Sequence, residues 1–81
     1  MNKKIEISRI LIALATKKGI TTRLTESKIN TIAETLSNLK TANRQTVKDY
    51  IGFGDTIIKE AIDFSDTDQL IDMIVDIINN D

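Results

Sequence analysis

Apolar residues return every three or four positions along most of this chain. Ile7, Ile10, Leu11, Leu14 and Ala15 form one such stripe, the spacing of an amphipathic helix. It predicts a first helix over about Lys3 to Lys18. Lys17 and Lys18 suit the negative end of a helix dipole, and Gly19 suits the stop. Ile5 and Ile12, one heptad apart, fall on roughly the opposite side. A helix that is apolar on two sides is central in its fold or shared with a partner.

Ile20 to Leu24 reads as a connector. Thr25 is placed to cap a second helix, with Glu26 in its first turn. Leu24 and Ile29 are spaced as a hydrophobic staple. The second stripe is Ile29, Ile32, Ala33, Leu36 and Leu39, predicting a helix to about Lys40. Asn43 then caps a third. From there Val47, Tyr50, Ile51, Gly54, Ile57, Ile58, Ala61 and Ile62 hold a single helical phase. That continuity predicts one long helix, kinked at Gly52 and Gly54, with Gly54 on the core face. The competing reading breaks the chain there and makes Asp55 a new cap, since each glycine costs ~1 kcal/mol relative to alanine. Ser65 and Asp68 are spaced as a capping box for a last helix. Its core face is Leu70, Ile71, Ile74, Ile77 and Ile78, widened by Met73 and Val75. Asp72 and Asp76 form its solvent stripe, and Asn79 to Asp81 are expected to fray. The expected fold class is all-α, a small four-helix bundle forming a single helical domain over residues 1–81. Tyr50, Phe53 and Phe64 are expected to be packed.

Composition narrows the chemistry. The 81 residues include no Cys, His or Trp. Disulfides and the usual zinc, haem and iron–sulfur ligands are therefore absent. Nucleophilic pairs that rely on a histidine base cannot form within the chain. Gly52-Phe53-Gly54 has no third glycine and no following Lys-Ser/Thr, so it is not a phosphate loop. Counting from Asp66, the fifth and sixth positions of a calcium loop would be Leu70 and Ile71, which do not fit. The acids fall on polar faces and caps. No enzyme activity, cofactor or metal is expected.

The N-terminus imitates a secretion signal, with Lys3 and Lys4 before Ile10 to Ala15. Glu6, Ser8 and Arg9 interrupt it, and Thr16, Lys17 and Lys18 close it. No run approaches the ~20 apolar residues of a membrane span. A soluble, cytoplasmic protein is expected.

The net charge of −1 hides a segregation of sign. Residues 1–48 carry ten bases and three acids, and residues 49–81 carry nine acids and one base. Either the halves neutralise each other, across the fold or half against half in an antiparallel dimer, or one of them meets a nucleic acid or a protein partner. On the protein-partner reading, the acidic face is Asp55, Glu60, Asp63, Asp66, Asp68, Asp72 and Asp76. Ile5, Ile12, Met73 and Val75 supply apolar anchoring. The candidate protein-binding residues are thus Ile5, Ile12, Asp68, Asp72, Met73, Val75 and Asp76. On the nucleic-acid reading, the contacts are Lys17, Lys18, Arg23, Lys28, Lys40, Arg44 and Lys48.

The segment from Gln45 to Ile62 partly resembles the helix-turn-helix family. Val47, Ile51, Gly52, Phe53 and Ile58 stand where that family places its apolar spine and turn glycine. The resemblance implies a first helix from Gln45-Thr46 and a recognition helix over Asp55 to Asp63. Lys48 departs from the small residue expected there. The recognition helix would offer Asp55, Glu60 and Asp63 against Lys59 alone, a poor match to phosphates.

The leading expectation is a non-catalytic regulator, inhibitor or adaptor that binds a protein, of the kind that phages and plasmids encode. The surplus apolar surface of the first and last helices points to a homodimer or a partner groove. The alternative is a small DNA-binding transcriptional regulator with a basic N-terminal half and an acidic dimerisation half.

Overall fold

A computed structural model describes residues 2–80 as an all-helical globule, with no strand among them. The elements are α1 (Lys3–Lys18), α2 (Glu26–Ser37), α3 (Arg44–Ile51), α4 (Thr56–Ala61) and α5 (Asp68–Asn79), with a 3-10 turn at Ser65–Thr67 before α5. The bundle consists of α1, α2, α3 and α5. The six-residue α4 is a spur between α3 and α5.

Local hydrogen bonds explain most of the boundaries. Asn2 accepts from the Ile5 N–H at 3.3 Å and caps α1. Gly19 ends α1 in the left-handed region at φ 67°. There the Gly19 and Ile20 N–H groups donate to the Thr16 and Ala15 carbonyls, a Schellman closure that glycine adopts without strain. Thr25 accepts from the Lys28 N–H at 3.4 Å. Leu24 and Ile29 are both buried beside it, as the staple requires. Asn43 accepts from the Thr46 N–H at 2.9 Å and donates its own N–H to the Thr46 hydroxyl at 3.3 Å. This is a reciprocal box with threonine in the usual glutamate position.

Three expected features give way. The long third helix is broken, not kinked. It stops at Ile51, and Gly54 turns the chain at φ 80°. Asp55 then caps α4, accepting from the Ile57 and Ile58 N–H groups at 3.0 and 3.1 Å. Gly54 faces solvent, and Gly52 takes the buried place. A Cβ on Gly52 would stand 2.8 Å from Lys59 Cβ, so the break lets α4 fold back closely on the end of α3. The apolar phase misleads because Val47 and Ile51 on one side and Ile58 on the other all still reach the core.

The Ser65–Asp68 box is not formed. Ser65 instead donates its N–H to Asp63 at 2.9 Å, and the buried Thr67 hydroxyl donates to the Phe64 carbonyl at 2.7 Å. The chain enters α5 through the resulting 3-10 turn. Asn79 is not frayed either. Its side chain bonds both the N–H and the carbonyl of Ala42 at 2.8 and 2.9 Å, tying the end of α5 to the start of α3. Asp81 lies outside the described residues.

The core runs through Ile7, Leu11 and Leu14 of α1, Leu36 of α2, Ile51 of α3, Ile58 of α4 and Ile71, Ile74 and Ile78 of α5, each at most 1 % exposed. Each such side chain contributes about 1.5–3 kcal/mol relative to exposure. Helix α1 is central, packed between α2 and α5, and α5 also packs on α3. Helices α1 and α5 are antiparallel: Lys3 Nζ donates to the Ile78 carbonyl at one end, and Lys18 meets Asp66 at the other.

Candidate interaction surfaces

The antiparallel path folds the acidic half of the chain onto the basic half. Arg44, at the start of α3, faces the row of acids on α5. Its Nε and Nη2 donate to the two carboxylate oxygens of Asp72 at 2.7 Å each, and its Nη1 reaches Asp68 Oδ2 at 3.3 Å. Bidentate guanidinium–carboxylate geometry is the strong form of the contact. Asp68 Oδ1 is sealed from solvent without a hydrogen bond, with Lys48 Nζ at 3.5 Å as its ionic partner. At the other end Lys18 pairs with Asp66 at 2.9 Å, and Lys17 donates to the Asp66 carbonyl at 2.8 Å. Asp55 holds Arg23 at 3.0 Å and Lys28 at 3.9 Å.

Four carboxylates, those of Asp55, Asp63, Asp66 and Asp72, are held below their ordinary value. The hydrogen bond from Arg44 holds Asp72 below the ordinary value, and that from Lys18 does the same for Asp66. The Ile58 N–H, followed by Arg23, lowers Asp55, and the Ser65 N–H lowers Asp63.

The candidate nucleic-acid residues are therefore brought against the chain's own acids. Lys17, Lys18, Arg23, Lys28, Arg44 and Lys48 all contact residues of the acidic half. Lys40 is exposed, with no ion pair among the described residues. The segment resembling a helix-turn-helix does form two helices and a turn. Its second helix is only Thr56–Ala61, and the Asp55 at its start is already engaged by Arg23.

The candidate protein-binding residues separate into three groups. Asp68 and Asp72 belong to the clamp on Arg44. Val75 is half-buried against the core, whereas Met73 and Asp76 are exposed on α5. Ile5 and Ile12 are half-exposed on α1. Ile12 borders an open groove between α1 and α2, lined with Ser8, Glu26, Ser27, Ile29 and Asn30 and about 600 Å³ in volume. The groove continues over Ala15, Thr21 and Leu24. No α5 residue lines it, so Ile12 and Met73 do not share it.

Phe53 is the apolar residue that the sequence reading misplaced. It is 80 % exposed at the tip of the turn after α3, whereas Phe64 is buried and Tyr50 half-buried. Phe53 borders a recess formed with Ser27, Lys28, Thr31 and Ile32 of α2. Exposed Ile57 follows it on α4. The signal available beforehand was the Gly-Phe-Gly sequence. A broken helix puts its central residue at the turn tip, where the core cannot be reached.

Among the described residues no three acids converge to hold a metal ion. No helix among them is long and apolar enough to cross a membrane. Compared with protein families, curated proteins and solved structures, the chain matches none.

Proposed function

We propose that this chain is a non-catalytic interaction module that binds a protein partner, with Phe53 as its principal apolar anchor. One observation carries the reading: folding leaves Phe53 80 % exposed on a turn whose two ends are fixed. Before the turn, Gly52 is buried against Lys59. After it, Asp55 caps α4 and is held by Arg23. A large aromatic presented on a rigid turn loses little conformational freedom on binding, which is what interface anchors require. Ile57 and the apolar floor at Ile32 extend the same surface.

The charge arrangement favours a protein over a nucleic acid as the partner. Phosphate binding needs bases that are free to release counterions. Here Lys18, Arg23, Arg44 and Lys48 already face Asp66, Asp55, Asp72 and Asp68, and of the candidate bases Lys40 alone has no acidic-half contact among the described residues.

The test is a photoreactive phenylalanine analogue at position 53, with the same group at Lys40 as control. The expected result is a protein adduct in source cells from position 53 and none from position 40. The Phe53→Ser variant should fold normally and fail to retain that protein. Absence of an adduct at position 53, or retention of the free chain on duplex DNA with a steep negative salt slope, would contradict the reading.

A further inference from the structure

Asp55 stands near two bases and depends on one. Its Oδ1 accepts from the Ile57 and Ile58 N–H groups at 3.0 and 3.1 Å, and Arg23 Nη1 donates to its two carboxylate oxygens at 3.3 and 3.0 Å. These contacts hold the carboxylate and match its charge without Lys28. Lys28 Nζ lies 3.9 Å from Asp55 Oδ2, too far for a hydrogen bond. Burial divides the pair in the same sense. The Asp55 side chain is 10 % exposed and that of Lys28 49 %. A partner arriving at this corner of the fold meets the ammonium, with the carboxylate beneath it.

The ammonium borders the recess beside Phe53. That recess is about 190 Å³ in volume, lined by Ser27, Lys28, Thr31, Ile32 and Phe53. Ile32 is buried and gives it an apolar floor. Thr31 spends its hydroxyl on the Ser27 carbonyl at 3.2 Å. Lys28 is the one charged residue in this lining. Glu26, two residues earlier on α2, lines the groove toward α1 instead. The recess is smaller than the ~300 Å³ at which small-molecule sites begin. It suits a single apolar side chain of a larger partner, with a charge set beside it.

That charge separates the possible occupants. A second copy pairing through the same face would bring its own Arg23 and Lys28 toward these, like charge against like. A nucleic acid needs several bases along a track of phosphates, and this rim offers one that its own fold does not require. An acidic protein segment matches both parts: an apolar side chain against Phe53 and Ile32, and a carboxylate on Lys28.

We infer that the partner segment seated on Phe53 is acidic, and that Lys28 selects it by pairing with a carboxylate next to the apolar contact. This rests on the reading of Phe53 as the anchor and adds the chemistry of what the anchor meets.

A random peptide library displayed on phage, selected on the immobilised full chain and counter-selected on Phe53→Ser, tests this. The Phe53-dependent peptides should be enriched in Asp and Glu close to an apolar residue, and depleted in Lys and Arg. Synthetic copies should bind Lys28→Gln about two- to fivefold more weakly at low salt, the range of an exposed ion pair. Lys28→Glu should weaken them further, and high salt should narrow both differences. Both variants should keep the wild-type circular dichroism, because Asp55 retains Arg23. Phe53-dependent peptides without an excess of acid, or with affinities that Lys28→Gln leaves unchanged, would overturn the inference and leave Phe53 as the anchor. So would Lys28-dependent binding to vesicles of phosphatidylserine and phosphatidylcholine, or dimerisation of the chain that Phe53→Ser abolishes. A selection that yields no Phe53-dependent peptide would overturn the anchor itself, and this inference with it.

Discussion

Arg44 grips Asp72 with two parallel hydrogen bonds, Nε to Oδ1 and Nη2 to Oδ2, both 2.7 Å long. The pair joins the start of α3 to the middle of α5, across 28 residues of chain. Both side chains are about half-exposed, so water and salt screen the attraction. Arg44→Glu would set three carboxylates together with Asp68 and Asp72. The urea midpoint at low salt should fall clearly for Arg44→Glu and only slightly for Asp72→Asn. Adding Asp72→Arg to the Arg44→Glu chain should recover most of the loss. A double variant no more stable than Arg44→Glu alone would show that the pair does not couple the two helices.

Gly52 and Gly54 should respond to alanine for different reasons. At Gly52 the new methyl would stand 2.8 Å from Lys59 Cβ and 2.9 Å from Lys59 Cα, so α4 must move. Overpacking of this kind costs about 1–3 kcal/mol. At Gly54 there is open space, and only the positive φ of 80° is penalised, at about 1 kcal/mol. Thermal unfolding should therefore rank Gly52→Ala below Gly54→Ala, with both below wild type. Equal stability of Gly52→Ala and wild type would mean that α3 and α4 do not approach as described.

Acid should destabilise the protein, and neutral pH changes should not. Asp55, Asp63, Asp66 and Asp72 are held below the ordinary value of 3.8 by their partners in the fold. As pH falls, the unfolded chain takes up these protons first, and the equilibrium moves toward it. The stability they supply is complete above about pH 5 and is lost as pH drops through and below about 4. With no histidine in the chain, urea midpoints should stay level between about pH 6 and 8. A marked loss of stability in that neutral range would contradict this assignment.

The sequence was most informative where the physics is local. The caps at Thr25 and Asn43 and the stop at Gly19 depend on hydrogen bonds within a few residues, and all three are found. The core stripes of α1, α2 and α5 were also visible, because each helix turns one face inward. The break between α3 and α4, with Asp55 as the new cap, is legible only as the competing reading, because apolar phase continues across it. What decides it is the fit of Gly52 against Lys59, which depends on how α4 folds back. Phe53 is expected to be packed as one of only three aromatics, yet the turn that follows from the break holds it out of the core. The segregated charges were plain, but neutralisation within the fold and presentation to a partner remained equal alternatives. Only the antiparallel path of α1 and α5 brings Lys18 to Asp66, and only the packing of α3 on α5 brings Arg44 to Asp72.

Salt tests most directly the claim that the two charged halves hold each other inside one fold. Urea unfolding should be followed at one protein concentration while NaCl rises from about 0.01 to 0.3 M, which shortens the Debye length from ~30 Å to below 10 Å. Opposite charges paired as described are weakened by this screening, so the midpoint should fall. If bases and acids instead formed separate like-charged faces, screening would relieve repulsion within each face. A midpoint that rises over that range would contradict the account.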